Sequence, residues 1–182
     1  MENGVSLSSL RGDRYSGKMA LYQFKVGVDY CDKGWFGLSS AVGLLGRGGR
    51  EDVTFTNAAG GLESMEYVNL QLRYLAMNTV FRVKFTEGRW TVYAGAGPRL
   101  DIKVDDRIAH SHPGLSDWEG NEGKDVLYGL DCVCGLTCAV GKMRVGLNFC
   151  YPWAADKAYT NLAGVAQRDR TFTLGLVLGY AL

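Results

Sequence analysis

Three features predict an all-β fold, an antiparallel up-and-down transmembrane β-barrel. They are a period-two alternation along most of the chain, short turns that alternate with long polar connections, and aromatic residues gathered at both ends of the alternating segments. The alternation is plainest in Thr91–Val104, TVYAGAGPRLDIKV. Val92, Ala94, Ala96, Pro98, Leu100, Ile102 and Val104 make one face; Thr91, Tyr93, Gly95, Gly97, Arg99, Asp101 and Lys103 make the other. Such a strand has two different surroundings. In a soluble sheet the charged face meets water, whereas in a membrane barrel the apolar face meets lipid and the charges point inward.

Seven full strands follow from the same pattern. Ala20–Tyr30 sets Tyr22, Phe24, Val26, Val28 and Tyr30 against Gln23, Lys25, Gly27 and Asp29. Phe36–Gly46 sets Phe36, Leu38, Val42 and Leu44 against Gly37, Ser39, Ala41 and Gly43. Tyr74–Phe85 sets Leu75, Met77, Phe81, Val83 and Phe85 against Tyr74, Ala76, Asn78, Arg82 and Lys84. After Thr91–Val104 come Val126–Val140, Met143–Trp153 and Thr171–Leu182, in which Gly129, Asp131, Arg144, Asn148, Thr173 and Gly175 fall on the face opposite the large apolar residues. Tyr67–Arg73 departs from the pattern, because Asn69, Gln71 and Arg73 fall on the apolar phase; this predicts a bulge, or a strand rising above the lipid. Pro98 cannot donate to a ladder and predicts a local bulge of its own.

The connections fall into two classes. Cys31–Gly34, Thr86–Arg89 and Gly141–Lys142 are short; Arg47–Glu66, Asp105–Lys124 and Ala154–Arg170 are long and polar. They alternate strictly, so in a meander all the short turns lie at one end and all the long loops at the other, the asymmetry of outer-membrane barrels. Tyr30, Phe85, Trp90 and Tyr180 fall near the short-turn end, and Tyr22, Tyr128, Tyr151, Trp153 and Phe172 near the long-loop end, as two interfacial girdles require.

Composition agrees. The length of 182 residues fits one domain, residues 1–182. A net charge of +1 lends no support to nucleic acid as a partner. The 25 glycines fit strands that pack closely around a tight barrel. No apolar run reaches the ~18 residues of a transmembrane helix, but a membrane strand needs only about 9–11 residues, with every second one on lipid.

The order of segments resembles the PorT-like outer-membrane β-barrel family of Gram-negative bacteria. The resemblance is carried by GVSLSSLRGD (Gly4–Asp13), the strand ending at Tyr30, LLGRGG (Leu44–Gly49), YLAMN (Tyr74–Asn78), YAGAGPRL (Tyr93–Leu100) and the terminal Phe172–Leu182. It departs from the family where Ala76 and Asn78 replace the usual Glu and Pro, and where Leu182 stands in place of a terminal aromatic. The resemblance implies eight strands, a bacterial outer-membrane location and an association with protein secretion. Gly4–Leu10 matches only the end of the family's first strand. The expectation is therefore a truncated first strand with imperfect closure, the start of that strand and a signal peptide lying upstream.

With the apolar face on lipid, the interior holds Lys25, Asp29, Arg82, Lys84, Arg99, Asp101, Lys103, Asp131 and Arg144. An eight-stranded barrel has room for side chains but not for an aqueous channel. Unpaired charges there are costly, so the set predicts a salt-bridged plug. Cys132, Cys134 and Cys138 share the lipid face of one strand, a poor geometry for disulfides, and the spacing lacks a second pair of zinc ligands. No metal or cofactor is expected. His110 and His112, with Asp117 and Trp118, belong to one long loop and are candidates for external contacts. No Ser–His–acid arrangement is legible, so no catalytic residue is assigned and the chain is expected not to be an enzyme. The expected partners are outer-membrane lipid and a protein or surface ligand at the external loops. The alternative is a soluble lipocalin-like barrel binding an apolar small ligand, with the apolar face inside.

Expressed with a signal peptide, the chain should be recovered from the envelope only in detergent, and its gel mobility should change on boiling. Recovery as a soluble monomer without detergent would reverse every face assignment above.

Overall fold

A computed structural model describes residues 1–11, 18–56, 62–110, 124–155, 159–160 and 166–180. The strands are β1 (Glu2–Arg11), β2 (Met19–Lys33), β3 (Phe36–Thr56), β4 (Leu62–Glu87), β5 (Trp90–His110), β6 (Val126–Val140), β7 (Met143–Ala154), β8 (Tyr159–Thr160) and β9 (Ala166–Tyr180). Strands β1 to β7 pair in chain order, β7 pairs β9, and β9 returns to β1. Eight antiparallel strands thus form a closed ring; the two-residue β8 is attached to β9 alone. Ring closure matters because lipid offers backbone N–H and C=O groups no partner, so an open edge cannot lie in hydrocarbon.

The closing strand is short. It pairs with β9 from Glu2↔Val177 to Arg11↔Arg168, and with β2 from Glu2↔Lys25 to Ser8↔Met19. Val26–Tyr30 pair with β3. Met1 extends the seam by one step, its N and O bonding Leu178 O and N at 2.6 and 2.8 Å.

The outer surface is apolar on every strand of the ring: Val5, Val28, Val42, Val83, Val92, Leu136, Leu147 and Leu176 are all exposed. The buried set includes Gln23, Lys25, Arg47, Arg99, Asp101, Asp131, Asn148 and Thr173. This is the inside-out arrangement of a barrel immersed in lipid, and the opposite of what an apolar-ligand cavity of lipocalin type requires.

Several boundaries differ from the sequence expectation. The first short turn is Gly34–Trp35 rather than Cys31–Gly34; β2 continues through an irregularity at Cys31, which has a φ of 53°. Gly34, Gly88 and Gly141 take positive φ in the three short turns, where a side chain would be strained. The long connections are shorter than Arg47–Glu66 and Asp105–Lys124, because β3 runs to Thr56, β4 begins at Leu62 and β5 runs to His110. Hydrophobic alternation marks only the part of a strand that touches lipid; above it the ladder continues while the apolar requirement lapses. Tyr67–Arg73 illustrates this. β4 keeps its phase, with Leu70, Leu72 and Tyr74 buried inside, and the extra residue is Val104 of β5, between the pairs Arg73↔Asp105 and Tyr74↔Lys103. At Pro98 no residue is inserted. Pairing to β4 lapses between Asn78↔Arg99 and Phe81↔Ala96 without a register change, while pairing to β6 is continuous. Losing one donor interrupts a ladder without needing a bulge.

Gly135 allows the largest interior side chain of its layer to fit. Tyr93 pairs with it across the β5–β6 ladder, and a Cβ on Gly135 would collide with the Tyr93 ring and with Leu147 O. Gly135→Val should therefore lower stability to urea by about 1–3 kcal/mol, the usual cost of overpacking. Gly179→Ala, where a Cβ meets nothing closer than 3.6 Å, should leave it unchanged.

Candidate functional site

Inward-facing residues stack in layers along the barrel axis. At the long-loop end Leu70, Leu72, Tyr74 and Leu127 are buried. Tyr74 lies under the guanidinium of Arg47, 5.5 Å from ring centroid to Cζ, and its hydroxyl donates to Lys124 O at 3.2 Å.

Next to this layer runs a chain of buried charges from β2, β3, β5 and β6, with Asn78 of β4 among them. Arg47 of β3 meets Asp101 Oδ2 at 2.7 Å. Arg99 bridges the two carboxylates, its Nε 3.2 Å from Asp101 Oδ2 and its Nη1 3.2 Å from Asp131 Oδ1. Asp131 of β6 also accepts from Asn78 Nδ2 and lies 3.9 Å from Lys25 Nζ of β2. Arg47, Arg99, Asp101 and Asp131 are each no more than 3 % exposed. A buried ion pair holds only when its geometry and extra hydrogen bonds offset desolvation; each carboxylate here faces two cations, although Asp101 takes both on Oδ2 and its Oδ1 has no hydrogen-bond partner among the described residues.

Below it, Val80, Tyr93, Val133 and Cys150 form an apolar cluster. The Tyr93 hydroxyl donates to Asn148 Oδ1 at 2.9 Å, and Arg82 lies over the Tyr93 ring at 4.9 Å. Arg82 Nη1 then reaches Asp29 Oδ1 at 3.2 Å, in a more solvated pair. Two filled layers therefore close the lumen between the two mouths. β1 is fastened across the interior by hydroxyls: Ser6 Oγ donates to Gly46 O at 2.6 Å, and Ser8 Oγ accepts from Gly48 N at 3.0 Å and from Thr171 Oγ1 at 3.0 Å.

Of the interior residues named from the sequence, Lys25, Arg99, Asp101 and Asp131 come together in one network. Asp29 and Arg82 form a separate pair. Lys103 lies at the long-loop rim, 2.9 Å from Asp125 and 4.0 Å from Asp106. Lys84 and Arg144 line the short-turn mouth. Arg47 falls in an expected long connection, Arg47–Glu66, yet it lies in β3 and is a central member of the network. Continuing the inward phase of Gly43 and Leu45 by one more step places it inside. The backbone of His110 ends β5, opposite Val68, while His112, Asp117 and Trp118 lie outside the described residues. Among the described residues no group of three or more His, Cys, Asp or Glu side chains is arranged to hold a metal ion, and the cysteines are free.

A closed eight-stranded ring, apolar outside and ionically filled inside, defines the class of small membrane β-barrels. The chain is similar in structure to the outer-membrane protein OprG from Pseudomonas aeruginosa, at 12 % identity and a TM-score of 0.55, over 98 % of this chain and 93 % of that one. A looser likeness, at 12 % identity and a TM-score of 0.43 over 97 % and 94 % of the two chains, is to Ail, the attachment invasion locus protein of Yersinia pestis, in complex with the heparin analogue sucrose octasulfate. At this identity the likeness is one of fold. No protein-family model and no curated protein matches the sequence, so the PorT-like resemblance rests on the quoted segments alone.

Asp101→Ala should strand Arg47 and Arg99 in the barrel centre and cost about 3–5 kcal/mol of stability in detergent, as breaking a buried pair does. Adding Arg47→Met to Asp101→Ala should recover part of that loss. Equal stability of Asp101→Ala and the wild type in urea titrations followed by gel shift would show that the network contributes nothing to the fold.

Proposed function

We propose that the chain is a non-enzymatic bacterial outer-membrane barrel that acts at the cell surface, its external binding element being the sheet formed by the upper parts of β3, β4 and β5. The carrying observation is the unequal height of the strands. β2 and β3 pair no higher than Gln23↔Leu45, and β5 and β6 no higher than Ile102↔Val126. The β4–β5 ladder continues to Val68↔His110, and the β3–β4 ladder to Thr56↔Leu62. At about 3.3 Å per residue, the final seven residues of β3 alone extend roughly 20 Å. Their outer edge has no strand partner among the described residues, and an unpaired edge is a template for a partner's extended segment. The apolar belt supports the membrane placement, and the long connections then face outward. A lumen closed by two layers supports binding rather than conduction.

The narrower reading, a part in protein secretion, is carried by the PorT-like segments. An unchanged secreted-protein profile in cells lacking the chain would remove it.

For the surface reading, residues 51–68 are replaced by a two-residue Asn-Gly turn closing on the pair Arg50↔Asn69, and cells displaying either form are compared for binding to a panel of labelled extracellular proteins. Both forms should stay heat-modifiable, and only the full chain should bind. Equal binding by the two forms would reject this sheet as the contact surface.

A further inference from the structure

The short-turn mouth holds charges that the buried chain does not use. A cavity of about 410 Å³ opens there, with Lys84, Thr86, Arg89, Thr91 and Arg144 in its wall. A recess of about 70 Å³ shares Lys84, Thr91 and Arg144 with it and adds Arg82 and Asp29. Asp29 is the one carboxylate lining either space among the described residues, and Arg82 already engages it at 3.2 Å. Arg89 and Arg144 form no ion pair among the described residues. Cations that converge on one concave space reinforce each other's potential, and an entering anion meets all of them together.

The hydroxyls add donors. Thr86 Oγ1 and Thr91 Oγ1 are 3.1 Å apart, so one donates to the other and the second hydroxyl keeps its proton for a ligand. Guanidinium, ammonium and hydroxyl donors around a space whose described lining holds no carboxylate besides the engaged Asp29 suit an oxyanion with several acceptor oxygens. Tyr93, from the apolar layer that closes the lumen, lines the recess, so an anion enters and leaves by the same mouth. Exposed Trp35 and Trp90 mark this end as the level of a membrane interface, where lipid headgroups and dissolved ions are both within reach.

We propose that this mouth is a phosphate-binding site with Arg144, Lys84 and Arg89 as its cationic ligands, the phosphate belonging to a lipid headgroup or to a free phosphate or diphosphate ion. The site is independent of the surface-binding reading and uses none of the residues of the projecting sheet.

The test uses the full barrel in non-ionic detergent. Its thermal midpoint is followed while inorganic pyrophosphate, or in a parallel arm a short-chain phosphatidic acid, is titrated in. Chloride keeps the ionic strength at about 0.1 M, where charges more than about 10 Å apart are already screened. A saturable rise is expected in at least one arm. The affinity should fall about tenfold or more in Arg144→Gln, the loss of one charge-assisted hydrogen bond. It should vanish when Lys84→Gln and Arg89→Gln are added. Arg89→Gln alone, at an exposed turn, serves if the triple variant fails to fold, and must also weaken binding. A response confined to pyrophosphate assigns free phosphate, and one confined to phosphatidic acid assigns the headgroup. No saturable rise in either arm, or the same affinity in the wild type and in folded variants, overturns the proposal.

Discussion

The structure depends on the hydrogen bonds that join β1 to β9. In hydrocarbon each backbone amide must find its partner within the protein, and a sheet does so only by closing on itself. Closure has a second consequence. Once the ring is complete, each strand has one face on the surroundings and one on the lumen, and the period-two pattern then assigns the side chains with no further choice. The chemistry of the lumen follows from what the outside excludes.

A lumen this narrow cannot leave its charges in water. Arg47, Arg99, Asp101 and Asp131 meet because β3, β5 and β6 present them at matching heights across the lumen, with Lys25 and Asn78 adding contacts to Asp131. The register of the ladders, more than any single residue, brings them into reach. The same register seats Tyr93 over Gly135 and passes the Ser6 and Ser8 hydroxyls to the β3 backbone at Gly46 and Gly48. Those two hydroxyl contacts join β1 to the β3–β4 hairpin near the base of the projecting sheet.

The two proposed functions fall at opposite ends of the same geometry. The interior layers separate the mouths, which leaves the projecting β3–β4–β5 sheet at one end and a basic vestibule at the other. Neither uses the buried chain as a reactive group; its role is to hold the wall in shape. Small barrels of this class keep a rigid ring and place their variation where strands leave the lipid, because only there can backbone edges and polar side chains meet partners without a desolvation cost.

By itself the sequence determined the fold class, the inward or outward face of the lipid-level residues and the asymmetry of the two ends. Each follows from local rules: alternation, turn length and aromatic placement. It also placed Lys25, Arg99, Asp101 and Asp131 on inward faces. It did not show which of them meet, since that depends on relative strand heights, and heights are set by shear around the ring rather than by any one strand. Arg47 was hidden for a related reason: it lies just above the apolar stretch, where alternation no longer reports a strand. Only the tertiary structure decided that β3, β4 and β5 continue beyond the lipid, that Val104 rather than Pro98 is the inserted residue, and that two layers close the lumen. In each case backbone pairing continues where the hydrophobic signal has stopped, because hydrogen bonds hold the ladder together whether lipid or water lies beside it.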